Sequence, residues 1–175
     1  MNLAPTFFQT VTDGLFSAIV LWVDKLFDEH ADRGLHNFLT FVEYHRDMLS
    51  IEALKSRRSY PDGHWMLDRE KIDFKTVDED RQRLRSFPAL QSIRTRRDKF
   101  HAHFDKEYFF DRKRLGDEAP LRWSDLEEAL SHVKDILNRY SAAYDGNLYE
   151  LEPLNASDLD DLLEELHKAR AADDS

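Results

Sequence analysis

The spacing of apolar residues is the feature that most constrains the fold of this chain. In the first segment, apolar side chains recur every three or four positions, so one wide stripe of a long helix faces a core. These side chains are Phe7 or Phe8, Val11, Leu15, Ala18 or Ile19, Trp22 and Leu26. Pro5 suits the first turn of this helix, and Gly34 follows its end. Similar spacing in later segments predicts an all-α protein.

The later segments predict about five to six helices arranged as an up-and-down bundle. A second helix is expected from Leu35 to Leu54, ended by the turn residues 59–63. Asp68 can cap a third helix. Ser86, followed by Pro88, indicates the start of a fourth helix, which carries a pair of histidines.

The second half of the chain begins with a predicted loop at residues 111–122, which contains Gly116 and Pro120. Residues 124–127 have the pattern of a capping box, and the periodic helix that follows ends at residues 145–147. A last short helix is expected to begin at Ser157. We expect residues 1–155 to form one helical domain, with residues 156–175 as an acidic C-terminal helix and tail packed on it.

Composition supports a packed helical domain and a cytoplasmic location. The 175 residues include only five Gly and five Pro, and 41% are hydrophobic. The absence of cysteine excludes disulfides and thiolate catalysis. The most apolar stretch, residues 15–21, is followed by Asp24 and Lys25, so it falls short of the roughly 20 residues that a membrane span needs. We therefore expect no membrane partner.

Charge is distributed unevenly along the chain. The net charge of −10 argues against nucleic-acid binding, because phosphate contacts need Lys and Arg. However, the middle of the chain is locally basic, and most of the negative balance comes from the C-terminal residues 150–174. The basic residues of the middle region are Arg81, Arg83, Arg85, Arg94, Arg96, Arg97, Lys99, Lys106, Arg112, Lys113 and Arg114.

Residues 95–105 bring cations and imidazoles together in a helical stretch. They read Thr95-Arg96-Arg97-Asp98-Lys99-Phe100-His101-Ala102-His103-Phe104-Asp105. Cleaving RNA without a metal needs a group that removes the proton of the ribose 2′-OH and a cation that stabilises charge on the phosphate. Histidine titrates near neutral pH, and arginine stays charged and binds phosphate bidentately. This segment is therefore the predicted catalytic centre.

Helical geometry alone does not select one catalytic pair. At about 100° per residue, Arg97 and His101 lie close to one face, as do Arg96 and His103. Arg97 and His103 are about 120° apart on a regular helix. They could converge if the end of the helix is distorted, or if a two-fold axis brings a second copy of each residue alongside.

The longer pattern Arg-Asp-Lys-x-x-Ala-His-x-Asp resembles the Arg-x4–6-His signature of HEPN proteins. The closest resemblance is to the abortive-infection U-type branch of that family. Two further stretches are similar to this branch, residues 25–28, which close the first helix, and residues 126–140. The resemblance implies a helical bundle that forms a two-fold homodimer with the two motifs facing each other. It also implies a ribonuclease that leaves a 2′,3′-cyclic phosphate.

The resemblance assigns roles to residues of the motif. It implies that Arg97 and His103 are the catalytic pair and that Asp98 is the polar residue that orients them. Candidate RNA-binding residues are Arg94, Arg96, Lys99 and His101. The implied function is a metal-independent endoribonuclease of a phage-defence or toxin–antitoxin system, with RNA as substrate and a possible antitoxin or nucleotidyltransferase partner.

Two other interpretations remain open from the sequence. The first is a non-catalytic HEPN dimer that binds RNA, a nucleotide or a partner protein, which the overall acidity favours. The second is a metal site, which is disfavoured because His101 and His103, two positions apart on a helix, point about 200° apart. His36, His45, His30 and His64 show no ligand spacing and are predicted to lie at the surface. We expect no metal and no cofactor.

Overall fold

The computed structural model describes residues 5–101, 106, 111–151 and 157–173, and this part of the chain contains helices and no strand. Its α-helices, renumbered in chain order, are α1 (Pro5–Phe27), α2 (Leu35–Tyr44), α3 (Ile51–Arg58), α4 (Phe74–Arg85), α5 (Leu90–Arg96), α6 (Arg112–Glu118), α7 (Trp123–Asp145) and α8 (Ser157–Asp173). Two short 3₁₀-helices span Arg46–Leu49 and Trp65–Leu67, and a π-helix, Arg97–His101, continues α5. The all-α prediction is confirmed, although the number of helices is higher than five to six.

One hydrophobic core holds most of these helices together. The C-terminal half of α1 packs against α2, α5 and α7, while α2 contacts α4 and α3 contacts α7. The largest fully buried side chains of this core come from five helices and are Phe27, Leu39, Leu84, Ile93, Leu126 and Ile136. A smaller cluster forms where Leu115 and Ala119 pack against Phe100. The fold therefore fixes the start of the basic motif against α1.

The predicted second helix is interrupted. The chain leaves α2 at His45, passes through the 3₁₀-helix Arg46–Leu49 and starts α3 after Ser50. The Ser50 hydroxyl accepts a hydrogen bond from the backbone N–H of Ala53 at 3.1 Å, which caps the first turn of α3. The end of α3 is as predicted, because Ser59 takes a left-handed conformation with φ of 55°.

Residues 111–122 are not the loop that the sequence predicted. Arg112–Glu118 form α6, and the Asp111 side chain caps it by accepting a hydrogen bond from the N–H of Arg114 at 3.1 Å. Gly116 lies inside this short helix, where its cost in helix propensity is tolerated because Leu115 is buried. The start of α6 is thus set by its capping acid.

Other helix ends differ by a few residues from the prediction. The cap of α4 is Asp73 and not Asp68, since the Asp73 carboxylate accepts from the N–H of Thr76 at 2.8 Å. Ser86 ends α4, and α5 begins at Leu90. At the start of α7, the Asp125 carboxylate accepts from the N–H of Arg122 at 2.7 Å, so the cap lies two residues before the predicted position.

The first and last helices carry exposed apolar side chains. α1 is long and apolar enough to cross a membrane by length and composition, with a hydropathy of 1.3 over its best window, although only 11% of that window is buried. The uninterrupted apolar stretch at residues 15–21 is shorter than the helix that contains it. In α8, which begins at Ser157 as predicted, none of the side chains that the structure describes is buried. The division between residues 155 and 156 stays a prediction.

Candidate functional site

The predicted motif begins where α5 changes its helical geometry. α5 is regular up to Arg96, and residues 97–101 form a π-helix, a geometry characterised by hydrogen bonds from an N–H to the carbonyl five residues back. Such turns hold more residues than an α-helical turn, so the angle of 100° per residue does not apply beyond Arg97. A distorted helix end was one of the alternatives that the sequence left open, and the π-helix is such a distortion. Single π-turns are frequent at functional sites.

Arg97 bridges two carboxylates. Its Nη1 donates a hydrogen bond to Oδ2 of Asp24 on α1 at 2.6 Å, and its Nε donates to Oδ1 of Asp98 at 2.8 Å. The hydrogen bond to Asp98 is the main reason why the pKa of Arg97 is raised, so the guanidinium stays charged. The exposed fractions of the Asp24 and Asp98 side chains are 4% and 51%. Arg97 is thus held between the core and the surface.

Asp24 is an acid within the apolar face of α1. It lies on the same helix face as Val20, Val23 and Phe27, which are all buried. Burial raises the pKa of Asp24, and the neighbouring Arg97 opposes this effect. Its Oδ1 atom is buried and has no hydrogen-bond partner among the described residues. The carboxylate therefore depends on Arg97 for its one strong interaction.

Asp24 was not among the functional residues predicted from the sequence. A usable signal was present, since positions 20, 23, 24 and 27 have the spacing of one helix face, and an acid there must find a partner when it is buried. The partner itself was not predictable from this pattern, because Arg97 lies 73 residues further along the chain. The antiparallel packing of α1 and α5 brings the two together.

The other basic residues of α5 have different surroundings. Arg94, about one turn before Arg97, is half-buried, and its charge acts on both Asp24 and Glu29. Arg96 donates from Nε to the carbonyl oxygen of Ala119 at 2.7 Å and lies 5.8 Å from the centre of the Phe16 ring. Arg94 therefore lies beside the Asp24–Arg97 pair, whereas Arg96 joins α5 to the end of α6.

His101 belongs to the small cluster around Arg96. Its ring lies 6.2 Å from that of Phe16 and 5.1 Å from that of Phe100, measured between centroids. Both ring nitrogens are buried without a partner among the described residues. Burial lowers the pKa of His101, and the nearby charge of Arg96 adds to this effect. His101 is consequently a neutral imidazole inside the protein.

The structure does not bring Arg97 and His101 into one reactive centre. Both residues face α1, as their spacing indicated, but Arg97 contacts Asp24 and His101 contacts Phe16. These two positions of α1 are eight residues apart, or about 12 Å along the helix axis. Lys99 is exposed. His103 lies outside the described residues, so its pairing with Arg97 stays a prediction.

The described residues contain no group of three or more His, Asp or Glu side chains that could hold a metal ion.

The surface location that the sequence predicted for His36 is wrong. This histidine is 5% exposed, and both of its ring nitrogens are buried without a partner among the described residues. It lines a polar pocket of about 280 Å³ together with Glu29, Arg81 and Arg85.

Comparison with known proteins decides the family. The model of the family described as AbiU2, a HEPN family, matches residues 1–169. The chain belongs to this HEPN family. Comparisons with curated proteins and with solved structures give no match. The match covers α1 to α7 and most of α8, and it confirms the resemblance that rested on the motif at residues 97–105.

The other two stretches that resemble this HEPN family have structural explanations. Residues 25–28 follow directly on Asp24 and include Phe27, which is fully buried in the core. In the second stretch, Tyr140 donates from its hydroxyl to Oδ2 of buried Asp80 at 2.8 Å, and Arg139 forms an ion pair with the same carboxylate. These stretches therefore support the fold around the motif.

Proposed function

We propose that this HEPN protein is a metal-independent endoribonuclease of a phage-defence or toxin–antitoxin system. The observation that carries the proposal is the placement of Arg97, the first residue of the HEPN motif. Its guanidinium is held between a buried acid and a half-exposed acid where α5 changes to a π-helix. Family membership supports an abortive-infection role, and the ribonuclease activity is our proposal.

In the proposed reaction, His103 removes the proton of a ribose 2′-OH. The 2′-oxygen attacks the adjacent phosphorus, and the bond from phosphorus to the 5′-oxygen of the next nucleotide breaks. The leaving 5′-oxygen takes up a proton, and the other product carries a 2′,3′-cyclic phosphate. Arg97 stabilises the charge that develops on the phosphate oxygens, which is commonly a large catalytic contribution. Asp98 orients Arg97 in the free protein.

The remaining basic residues would contact the RNA backbone. Arg94 and Lys99 are suited to this role, because Arg94 lies beside the Asp24–Arg97 pair and Lys99 is exposed. Arg96 and His101 were also predicted to bind RNA. Their contacts with Ala119 and Phe16 give each of them a role in the fold as well. Phosphate contacts of this kind position the substrate without selecting its sequence.

A second copy of the chain is the proposed occupant of an apolar stripe on α1. Phe7, Val11, Leu15 and Trp22 lie within about 80° of one another around the helix, and all four are exposed. Trp22 is 63% exposed. The opposite face of α1 packs on the start of the motif, so a dimer that pairs along the stripe would have both copies of α1 between its two motifs. A two-fold axis suits this stripe because it can pack against itself.

Cleavage assays with two variants test the proposal. Wild type, Arg97→Ala and His103→Ala are incubated with RNA in excess EDTA, and His30→Ala serves as the control because His30 is an exposed histidine outside the motif. Each motif variant is expected to lose at least about 100-fold in rate, since acid–base and charge-stabilising groups contribute that much. Circular dichroism checks that the variants are folded. Full activity in both motif variants, or no cleavage by wild type, would contradict the proposal.

One observation favours the alternative of a non-catalytic binding module. Arg97 already has two carboxylate partners, which reduces its attraction for phosphate. Such a module would bind RNA, a nucleotide or a protein such as a nucleotidyltransferase antitoxin. Expression in cells separates the two functions. Growth arrest that His103→Ala relieves supports the ribonuclease, whereas harmless expression of a stable dimer supports the module.

A further inference from the structure

The two acids that hold Arg97 differ in how firmly they are fixed. Asp24 lies in the last turn of α1 and is buried beside Val23 and Phe27. Leaving this carboxylate without a cation would bury an unpaired charge, which is strongly unfavourable. Asp98 is the neighbour of Arg97 in the chain and is half-exposed, so water can replace its interaction at little cost. Asp24 is therefore the more permanent partner.

One nitrogen of the Arg97 guanidinium, Nη2, donates no hydrogen bond to any described residue. Nη1 is occupied by Asp24 and Nε by Asp98, while no described residue accepts a hydrogen bond from Nη2. A phosphate binds arginine best through two parallel hydrogen bonds to one edge. The edge formed by Nε and Nη2 becomes available as soon as Asp98 moves aside, and Asp24 does not have to move.

The incomplete hydrogen bonding of Asp24 indicates that stability alone does not explain the pair. Its Oδ1 is buried and has no partner among the described residues, so part of the cost of burying the carboxylate is not recovered. Buried ion pairs of this kind are often replaceable by apolar residues without loss of stability. A costly pair is understandable if it fixes the direction of a functional arginine.

We propose that Asp24 is the positioning residue that anchors Arg97, and that a phosphate group of RNA replaces Asp98 on the Nε–Nη2 edge of the guanidinium. This inference rests on the proposed ribonuclease function and adds a division of labour between the two acids. Asp24 fixes the guanidinium in both the free and the bound protein. Asp98 occupies the phosphate position only while RNA is absent.

The test compares Asp24→Asn with Asp98→Asn, using Asp28→Asn as the control. Asp28 lies four residues after Asp24, and its carboxylate accepts from the N–H of His30 at 3.0 Å and not from Arg97. Cleavage of RNA gives kcat and KM, and a 2′-O-methyl RNA that cannot be cleaved gives Kd. Asp24→Asn is expected to lower kcat at least 10-fold, whereas Asp98→Asn is expected to tighten Kd by about 2- to 10-fold.

A readout independent of cleavage comes from NMR of the Arg97 side chain. In wild type and Asp98→Asn, anchoring to Asp24 should slow rotation of the guanidinium and resolve its Nη signals at low temperature. Asp24→Asn should merge them. Adding 2′-O-methyl RNA should shift the Nε signal of wild type, because phosphate replaces Asp98 there. The pair Asp24→Leu with Arg97→Met should fold with about wild-type stability while losing RNA binding.

Each result bears on one of the two proposals. If wild type does not cleave RNA, the ribonuclease proposal fails, while the NMR and binding measurements still decide the role of Asp24. The anchor is contradicted if Asp24→Asn keeps wild-type kcat and resolved Nη signals. The displacement of Asp98 is contradicted if Asp98→Asn weakens binding of 2′-O-methyl RNA. If Asp24→Asn does not fold, a double variant that is also unfolded would assign the pair to stability and overturn the inference.

Discussion

Among the described residues, three histidines are buried or half-buried and have no hydrogen-bond partner there for at least one ring nitrogen. These are His36, His101 and His132, and burial lowers the pKa of each of them. His36 lines a pocket together with Glu29, Arg81 and Arg85. The charge of Glu29 raises the pKa of His36, whereas the charges of Arg81 and Arg85 lower it. A neutral imidazole is therefore the form that the folded protein accommodates.

Acid should destabilise the protein through these histidines. The unfolded chain binds a proton at each histidine near its ordinary pKa of about 6.5, whereas the folded chain binds it only at lower pH. Stability is consequently present above about pH 6.5 and is lost as the pH falls towards the lowered folded-state pKa. The urea midpoint should fall between pH 7.5 and 5.5, and it should fall less in His36→Leu.

The matched control for this pH experiment is His30→Gln, which changes an exposed histidine in the same pocket region. Its midpoint should depend on pH as in wild type. Asp24 titrates in all three proteins, so its contribution cancels in the comparison. An identical pH dependence in His36→Leu and wild type would contradict the account of His36.

At the scale of helices, α4 and α7 are joined by a buried acid. Asp80 of α4 is 2% exposed, accepts from the Tyr140 hydroxyl at 2.8 Å and pairs with Arg139. Burial and the hydrogen bond to Asp80 raise the pKa of Tyr140, which therefore remains a neutral donor. These contacts fix α4 against α7, within the scaffold that supports α1 and α5.

Removing the Tyr140 hydroxyl and removing the Asp80 carboxylate should lower the free energy of unfolding by different amounts. Tyr140→Phe leaves one oxygen of Asp80 without its donor and should cost about 1–3 kcal/mol of unfolding free energy. Asp80→Ala leaves the buried Tyr140 hydroxyl and the half-buried Arg139 guanidinium without their acceptor and should cost more, about 2–4 kcal/mol. Urea denaturation measures both. Asp78→Ala, an exposed acid on the same helix, should change stability by less than about 0.5 kcal/mol. Equal effects at positions 78 and 80 would refute this explanation.

The helices were predictable where the apolar period and the end signals agree. α1 begins at Pro5, and Gly146 ends α7 in a left-handed conformation, as the sequence indicated. The break between α2 and α3 was not predictable from the apolar period, because Val42 before it, Leu49 within it and Leu54 after it are all buried. The choice between Asp68 and Asp73 as a cap depends on where the preceding chain packs, which local sequence does not determine.

At the scale of the whole molecule, the motif was predictable as a chemical pattern but not as a site. The cations and histidines of residues 95–105 are visible in the sequence, and the family match agrees with them. The partner of Arg97 on α1 and the separate environment of His101 depend on the packing of α1 against α5 and α6. Long-range contacts of this kind follow from topology, and the sequence pattern alone does not specify topology.

The exposed stripe on α1 leads to a prediction about assembly. Wild type should have about twice the chain mass of 20.7 kDa in light scattering after gel filtration, and Leu15→Glu should be monomeric. The charge would lie in the middle of the proposed interface, where an unpaired carboxylate is unfavourable.

Leu159→Glu is the control for assembly, since Leu159 is 50% exposed and lies on α8. It should remain a dimer with wild-type activity. A monomeric wild type that binds lipid vesicles would instead assign the stripe to a membrane surface and contradict the dimer. A dimer that persists in Leu15→Glu would place the interface elsewhere.

The central claim is that this HEPN protein cleaves RNA by attack of a ribose 2′-oxygen without a metal ion. The most direct measurement uses two RNA oligonucleotides in excess EDTA, one fully ribose and one with a single 2′-deoxy sugar at the mapped cleavage position. We expect the first to be cut to a 2′,3′-cyclic phosphate and the second not to be cut at that position. Cleavage of the deoxy substrate there, or loss of all cleavage in EDTA, would contradict it.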